Sequence, residues 1–412
     1  MIKLRTYQQE ALDSLIKAFK KKKTSLLVLP TGAGKTVIFS HLVKELGIKT
    51  LAVAHTVEII QQIQKTAEKV GVSDLLSAAS IQLCSLRRDK IAKEGFELLI
   101  VDECHRICSP SYEAMIKAIA PLKLLGVTAT PFRTDKKKIK DLLGEPVYTM
   151  GLLEMIQNGF LADFEGYRCQ TQIDVSGVAT KNGDFQQGAL SSIINVSNRN
   201  ELIVDQYLEL AADSKALAFC ADVAHCVQLE KVFNSRGIPS RAIYGKLTRD
   251  QRAGILEDFR SGRIRVLTNC QILTEGFDEP SIETLLMARP TISKVLYTQM
   301  IGRGSRKAPG KNVCKVIEFT DNYFNVCFLS DLLEMRCLQL EFKAGERLSS
   351  LYDRNEELLA MGGECIVTRE VIIPLSINER GATPWQIMQL EKLGVLAPGE
   401  CTEAHANKLL YG

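Results

Sequence analysis

Short apolar, β-branched runs recur along the chain, each followed by turn residues and then by a helical pattern. In the first half these runs are Leu26–Leu29, Thr50–Ala54, Leu98–Val101 and Leu124–Val127. In the second half they are Ala216–Cys220, Arg241–Tyr244, Arg265–Leu267, Thr284–Met287 and Lys315–Phe319. Near-continuous apolar strands alternating with helices predict parallel sheets buried on both faces. Two such sets predict two tandem doubly wound α/β domains. The stretch 166–200 breaks the rhythm: it is rich in Gln, Ser, Asn and Gly, and it reads as a linker with a return strand. The expected division is therefore 1–165, 166–200, 201–340 and 341–412. In the last of these, Thr383 and Pro384 open a helical pattern that Gly394 can end, and Thr402 begins another. A small C-terminal helical module is expected there.

Composition narrows the class. With 412 residues, 46% hydrophobic and 24% charged, the chain is too long for one core and ordinary for a globular protein. No apolar run approaches the ~18 residues of a membrane helix, and the first residues do not read as a signal peptide. No membrane partner and a cytoplasmic location are expected. The twelve cysteines include no C-x-x-C pair, so no zinc is expected. Cys220, Cys270 and Cys314 sit in apolar runs and read as small buried hydrophobes. Net charge is +4, but 341–412 holds 11 acidic and 7 basic residues, which leaves the remainder at +8. A basic body suits a phosphate-backbone ligand.

The chemistry starts at Leu29-Pro30-Thr31-Gly32-Ala33-Gly34-Lys35-Thr36, where a strand runs in and a helix leaves. Glycines let backbone N–H groups close around phosphate oxygens, and the helix N-terminus adds positive potential. In such a loop Thr31, Gly32, Ala33 and Gly34 form the cradle. Lys35 supplies charge to the phosphates and Thr36 a hydroxyl to Mg²⁺. Next, Asp102 and Glu103 end the apolar run 98–101. Ligands of open α/β sheets gather at that edge, so Asp102 can hold Mg²⁺ and Glu103 can orient an attacking water. In the second half, Gln299 is followed by Arg303 and Arg306, whose i,i+3 spacing points both the same way.

Asp102-Glu103-Cys104-His105 resembles the DExH box of superfamily-two helicases, and Gln299-x-x-Gly302-Arg303-x-x-Arg306 resembles their motif VI. Thr128-Ala129-Thr130 looks like their third motif. Leu273-Thr274-Glu275-Gly276-Phe277-Asp278 looks like motif V, and Ala54-His55-Thr56 like the end of motif Ia. Leu4-Arg5-Thr6-Tyr7-Gln8 looks like the element in which a Gln reads adenine. The resemblance spans roughly residues 1–335. It is nearest to RadD-like repair helicases, with kinship to type III restriction motor subunits and XPB.

The resemblance implies two RecA-like domains sharing one ATP site, with ATP and Mg²⁺ as cofactors. Lys35, Asp102, Glu103, Gln299, Arg303 and Arg306 would be catalytic. Arg5, Gln8, Gly276 and Asp278 would join the loop in holding the nucleotide. His55, Thr56, Gln82, Thr130, Thr268 and Thr274 are the candidates for nucleic-acid contact. The expected function is an ATP-dependent DNA helicase or translocase in repair, recombination or restriction, with a possible repair or nuclease partner. A duplex translocase, a motor subunit for a nuclease, an RNA helicase and a nucleotide-gated clamp are the alternatives.

Overall fold

The computed structural model describes residues 2–129, 136–181, 183–270, 273, 279–322, 326–332 and 344–360. The chain divides into two compact units that are not continuous in sequence. The first comprises Met1–Ala162, Gln271–Pro280 and Thr298–Gly310; the second comprises Asp163–Cys270, Ser281–Tyr297 and Lys311–Gly412.

The first unit is built on β1 (Thr24–Val28), β2 (Thr50–Ala54), β3 (Leu76–Ser80), β4 (Leu98–Asp102), β5 (Lys123–Thr128) and β6 (Pro146–Thr149). They form one sheet in the order β3-β2-β4-β5-β1-β6, every pair parallel. β2 and β4 are buried along their whole length, as apolar strands in a doubly covered sheet must be. Because all strands point one way, the turns after β1, β2, β3, β4 and β5 leave from a single edge. Leu26, Val53, Leu99, Val101, Tyr112 and Met115 belong to the core below that edge. The sequence pattern misses β3 and β6. Leu-Ser-Ala-Ala-Ser has too little apolar bulk to stand out, and β6 opens on Pro146 and is only partly buried.

The second unit holds β7 (Asp163–Asp174), the short pair β8 (Thr180–Lys181) and β9 (Asp184–Phe185), then β10 (Ala216–Phe219), β11 (Ser240–Ile243), β12 (Val266–Asn269), β13 (Thr284–Met287), β14 (Val313–Asn322) and β15 (Glu346–Arg347). Its main sheet runs β11-β12-β10-β13-β14-β7-β15, parallel except for the β7–β15 pair. The stretch read as linker, 166–200, is thus structured: it supplies most of β7, the β8–β9 hairpin and a helix, Gln187–Ile194. Val175, Phe185, Leu190 and Ile194 form their own small core with Ala221, Val326 and Phe328.

β7 carries a buried ion pair. Arg168 lies opposite Glu318 of β14 in register, and its Nε donates to that carboxylate at 3.1 Å with both side chains about 5% exposed. The Tyr297 hydroxyl and the backbone N–H of Leu329 also donate to Glu318. Burial nevertheless holds the Glu318 carboxyl above its usual range, against the pull of Arg168. Removing one partner of such a pair strands the other charge and costs about 3–5 kcal/mol.

Cys220, Cys270 and Cys314 are buried, and burial pushes the Cys270 thiol up to about 11 and the Cys314 thiol up to about 12. Among the described residues no helix is long and apolar enough to cross a membrane. The expected helices at 383–394 and from Thr402 lie outside the described residues.

His225 is fully buried, with its Nδ1 accepting from the Ala221 N–H and its Nε2 facing Asn200 Oδ1. Burial, then the charges of Arg199 and Arg289, push its pKa down to about 3. Unfolded, the same ring takes a proton near pH 6.5. Between these values the unfolded chain binds more protons, so stability falls as pH drops through that window. We expect urea unfolding from pH 7 to pH 4 to show a falling midpoint, and His225→Gln to flatten that decline. Parallel profiles for the two proteins would count against this assignment.

Candidate active site and its polar relay

Beyond β1 the chain turns through Pro30–Gly34 into the helix Lys35–Leu46. Gly32 and Gly34 have φ of +89° and +73°, the left-handed region that residues with a Cβ avoid. Space demands glycine as well: a Cβ at Gly34 would lie 2.6 Å from Gln8 Nε2, and one at Gly32 would lie 2.6 Å from Ser305 Oγ. No side chain caps the helix start, which leaves its first N–H groups facing the turn. From outside, the Ala33 carbonyl accepts from the Tyr7 hydroxyl at 2.7 Å and from Gln8 Nε2 at 3.2 Å. Lys35 Nζ donates to the Leu29 and Pro30 carbonyls at 3.1 and 3.2 Å. Burial lowers the Lys35 pKa; Glu103 and Asp102 oppose this, while Arg303 and Arg306 add to it.

Asp102 is the last residue of β4, and its Oδ1 accepts from the Glu103 N–H at 3.1 Å. Glu103 itself has φ of +48°, a left-handed conformation uncommon for a non-glycine residue and typical of functional turns. The turn fits because β5 carries Gly126 beneath it. A Cβ there would meet Cys104 Sγ at 2.9 Å. Burial would raise the Glu103 carboxyl, but the His105 ring 3.2 Å away and the charges of Lys35 and Arg303 bring it below its usual value.

From Glu103 a polar chain runs along the edge. Glu103 Oε2 lies 3.2 Å from His105 Nδ1; Arg106 Nε donates to His105 Nε2 at 3.4 Å; Arg106 Nη1 meets His55 Nε2 at 2.7 Å. The Glu103–His105 contact is an ion-pair approach without hydrogen-bond geometry, while Arg106 reaches the other ring nitrogen. The relay joins the carboxylate after β4 to the first residue after β2. Beside it, the Thr56 hydroxyl caps the helix Val57–Val70 by accepting from the Ile59 N–H at 3.4 Å.

The stretch Thr298–Gly310 lies against the phosphate-type loop within the same unit. Gly302 approaches Thr31 so closely that a Cβ would fall 2.4 Å from the Thr31 Cβ. Ser305 Oγ lies 3.0 Å from the carbonyls of both Thr31 and Gly302, and the Ser305 carbonyl accepts from the Ala162 N–H at 2.7 Å. Arg303 is 6% exposed, and its Nε reaches the Gln299 carbonyl at 3.4 Å. The Arg306 Cγ lies 3.4 Å from where a Cβ at Gly32 would sit, and the charges of Asp102, Glu103, Arg303 and Arg306 all act on Lys35.

The other candidates separate. Arg5 is exposed and donates to the Phe160 carbonyl at 3.0 Å. Gln8 accepts from the Arg5 N–H and donates to Ala33, which uses half of its amide capacity. Thr36 is half-buried at the loop's exit. Gln82 is exposed on the same edge as His55. Thr268 is a correction: it is fully buried in the second unit and its hydroxyl donates to the Cys226 carbonyl at 2.9 Å, so it packs the interior instead of meeting a strand. Thr130, Thr274, Gly276 and Asp278 lie outside the described residues. Sequence reasoning missed Tyr7, whose ring is 4.6 Å from that of Phe160, together with Ser305 and Arg106. All three sit next to quoted motif residues, but the motif pattern leaves their positions open.

Comparison with known proteins agrees with this geometry. A family described as "Type III restriction enzyme, res subunit" matches residues 1–82 and 77–133, and one described as "Helicase conserved C-terminal domain" matches 198–308. The "Putative ATP-dependent helicase IRC3" of Saccharomyces cerevisiae is 31% identical over 90% of this chain, and the match covers 58% of that protein. The chain thus spans less than two thirds of that relative's length. The "DNA 3'-5' translocase XPB2" of Sulfurisphaera tokodaii is 26% identical, with 74% of this chain and 79% of that one covered. Among solved structures, a fragment of a putative HsdR subunit of a type I restriction enzyme from Vibrio vulnificus superposes with a TM-score of 0.61. It is 23% identical, covers 77% of this chain and 64% of that one, and supports the fold alone. Relatives named as helicases and translocases align across most of a chain whose two parallel-sheet units are RecA-like, and the chain belongs to the superfamily-two helicases.

Proposed function

We propose that the chain hydrolyses ATP with Mg²⁺ and uses the turnover to move along DNA, as a helicase or translocase in repair, recombination or restriction. The observation that carries this is the gathering of Lys35, Arg303 and Arg306 around Asp102 and Glu103 at the mouth of a glycine turn. Three cations against two carboxylates call for an anion. Lys35, bonded to two backbone carbonyls, is matched better by phosphate oxygens, and the Thr36 hydroxyl with Asp102 makes an oxygen donor set suited to Mg²⁺. The donor set therefore fits the nucleotide and its metal. Bound ATP supplies the phosphoryl group, and Mg²⁺ neutralises charge on its oxygens.

The chain's own residues supply positioning. Lys35 exchanges its carbonyl partners for phosphate. Glu103, kept ionised by Lys35, His105 and Arg303, orients the attacking water and receives its proton. Arg303 and Arg306 neutralise charge on the transferring group. The names of the relatives support DNA as the track. A cytoplasmic setting belongs to the same proposal, supported by buried thiols such as Cys84 and Cys104.

Lys35→Ala or Glu103→Gln is expected to lower DNA-stimulated ATP turnover by at least about 100-fold, measured as phosphate release with single-stranded, duplex and forked DNA and with RNA. Undiminished turnover in both variants would sink the site assignment, and stimulation by RNA alone would redirect the track.

Ser305→Ala removes a hydroxyl that ties the arginine stretch to the loop and leaves the phosphate cradle intact. We expect kcat to fall about tenfold while ADP affinity stays within about twofold, since the cradle holds the phosphates and the arginines act on the transferring group. Equal losses in both would mean that Ser305 only holds the fold.

Arg106→Ala cuts the relay between His55 and Glu103. Basal turnover should persist while the DNA-stimulated increment shrinks several-fold. A normal stimulation ratio would show that the relay carries no coupling.

A further inference from the structure

Glu318 lies within β14, and three separate elements donate to its carboxylate. Arg168 reaches it from β7 at 3.1 Å, the Leu329 N–H from the short turn Leu329–Leu332 at 2.8 Å, and the Tyr297 hydroxyl from the helix Lys294–Ile301. Glu318 is 4% exposed. A buried ion pair stabilises little over well-packed apolar side chains of the same volume. What it adds is direction, because a carboxylate accepts hydrogen bonds along defined lines and an apolar neighbour does not.

The hydroxyl that uses this direction stands on the helix that leads to the arginines. Tyr297, Met300 and Ile301 recur at helical spacing, and each is 2% exposed or less. Gln299, two residues after Tyr297, lies about 200° further around the axis. A tie at Tyr297 therefore fixes which way Gln299 points. Arg303 follows: its N–H donates to the Met300 carbonyl at 3.1 Å, and its Nε to the Gln299 carbonyl at 3.4 Å. The entry to the helix is held separately. Asp184 Oδ1 accepts from the Thr291 hydroxyl at 2.8 Å and from the Ile292 N–H at 3.1 Å, and Ser293 Oγ accepts from the Leu296 N–H at 3.3 Å. With the entry held, rotation about the axis is the freedom left for Tyr297 to settle.

We infer that Glu318, acting through the Tyr297 hydroxyl, is a positioning residue for Arg303: it sets the rotation of the helix and with it the aim of the guanidinium. This rests on the reading of Arg303 as a cation on the transferring phosphoryl group, and it names what aims that cation.

The test is ATP hydrolysis by the full chain at saturating DNA, with ADP affinity measured alongside. Tyr297→Phe keeps the ring and removes the hydroxyl, so the core stays filled. Its kcat is expected to fall about tenfold while ADP affinity stays within about twofold. Arg168→Met/Glu318→Leu removes the acceptor and should lose as much. Arg168→Met/Glu318→Gln returns an acceptor without the charge and should recover most of that loss. In an Arg303→Ala background, Tyr297→Phe should cost less than about twofold, because the two residues act in one line. A normal kcat in Tyr297→Phe, a loss that persists in full beside Arg303→Ala, or a Gln pair as slow as the Leu pair overturns the positioning role and leaves the hydrolysis reading standing. Should Arg303→Ala alone hydrolyse ATP at the normal rate, the role of the arginines falls and this inference falls with it.

Discussion

Like charges resist being gathered, and the site depends on gathering them. Lys35, Arg303 and Arg306 lie close enough for each arginine to disfavour the charged lysine. Two carboxylates offset part of that repulsion. Contacts that carry no charge also hold the arginine stretch. Gly302 fits against Thr31 only because it has no side chain, and the Ser305 hydroxyl reaches the Thr31 carbonyl. The arginines are thus set in place by backbone fit instead of by attraction to one another. Their positive field is ready before any phosphate arrives, which is how an enzyme avoids reorganising charge during the reaction.

That arrangement requires a common edge, and the parallel sheet provides one. β1, β2, β3 and β4 all end on the same side, so the glycine turn, His55, the helix bearing Leu83 and the pair Asp102–Glu103 are neighbours by topology. An antiparallel sheet would send half of these turns to the opposite edge. The glycine at 126 then adjusts the detail, admitting Cys104 under the turn and letting Glu103 take its left-handed backbone.

Much of this was legible in the residue pattern. The apolar runs at 50–54 and 284–287 coincide with β2 and β13, and the glycine turn and carboxylate pair stand at strand ends as periodicity implied. What escaped was structure paid for in polar groups. The stretch 166–200, read as a linker with a return strand for its Gln, Ser, Asn and Gly content, holds most of β7, where Arg168 becomes a core residue only through Glu318, 150 positions away. Thr268 looked like a phosphate ligand because a hydroxyl near a strand end is polar in sequence, whereas its partner is the Cys226 carbonyl. The partners of Ser305 and Arg106 are likewise remote in sequence, Thr31 and His55, so no local window contains the interaction.

Glu103 is where the two roles of the edge converge. It sits in a strained turn, it is held ionised by Lys35, His105 and Arg303, and it begins the chain of contacts that ends at His55. On the proposed reading, a strand phosphate at Arg106 competes for the guanidinium that reaches both His105 and His55. Linkage on that reading makes any such effect reciprocal: what a bound strand does to Glu103, a change at Glu103 does to the binding of the strand. The four side chains Glu103, His105, Arg106 and His55 along one sheet edge are, on the same reading, the route that joins turnover to the strand.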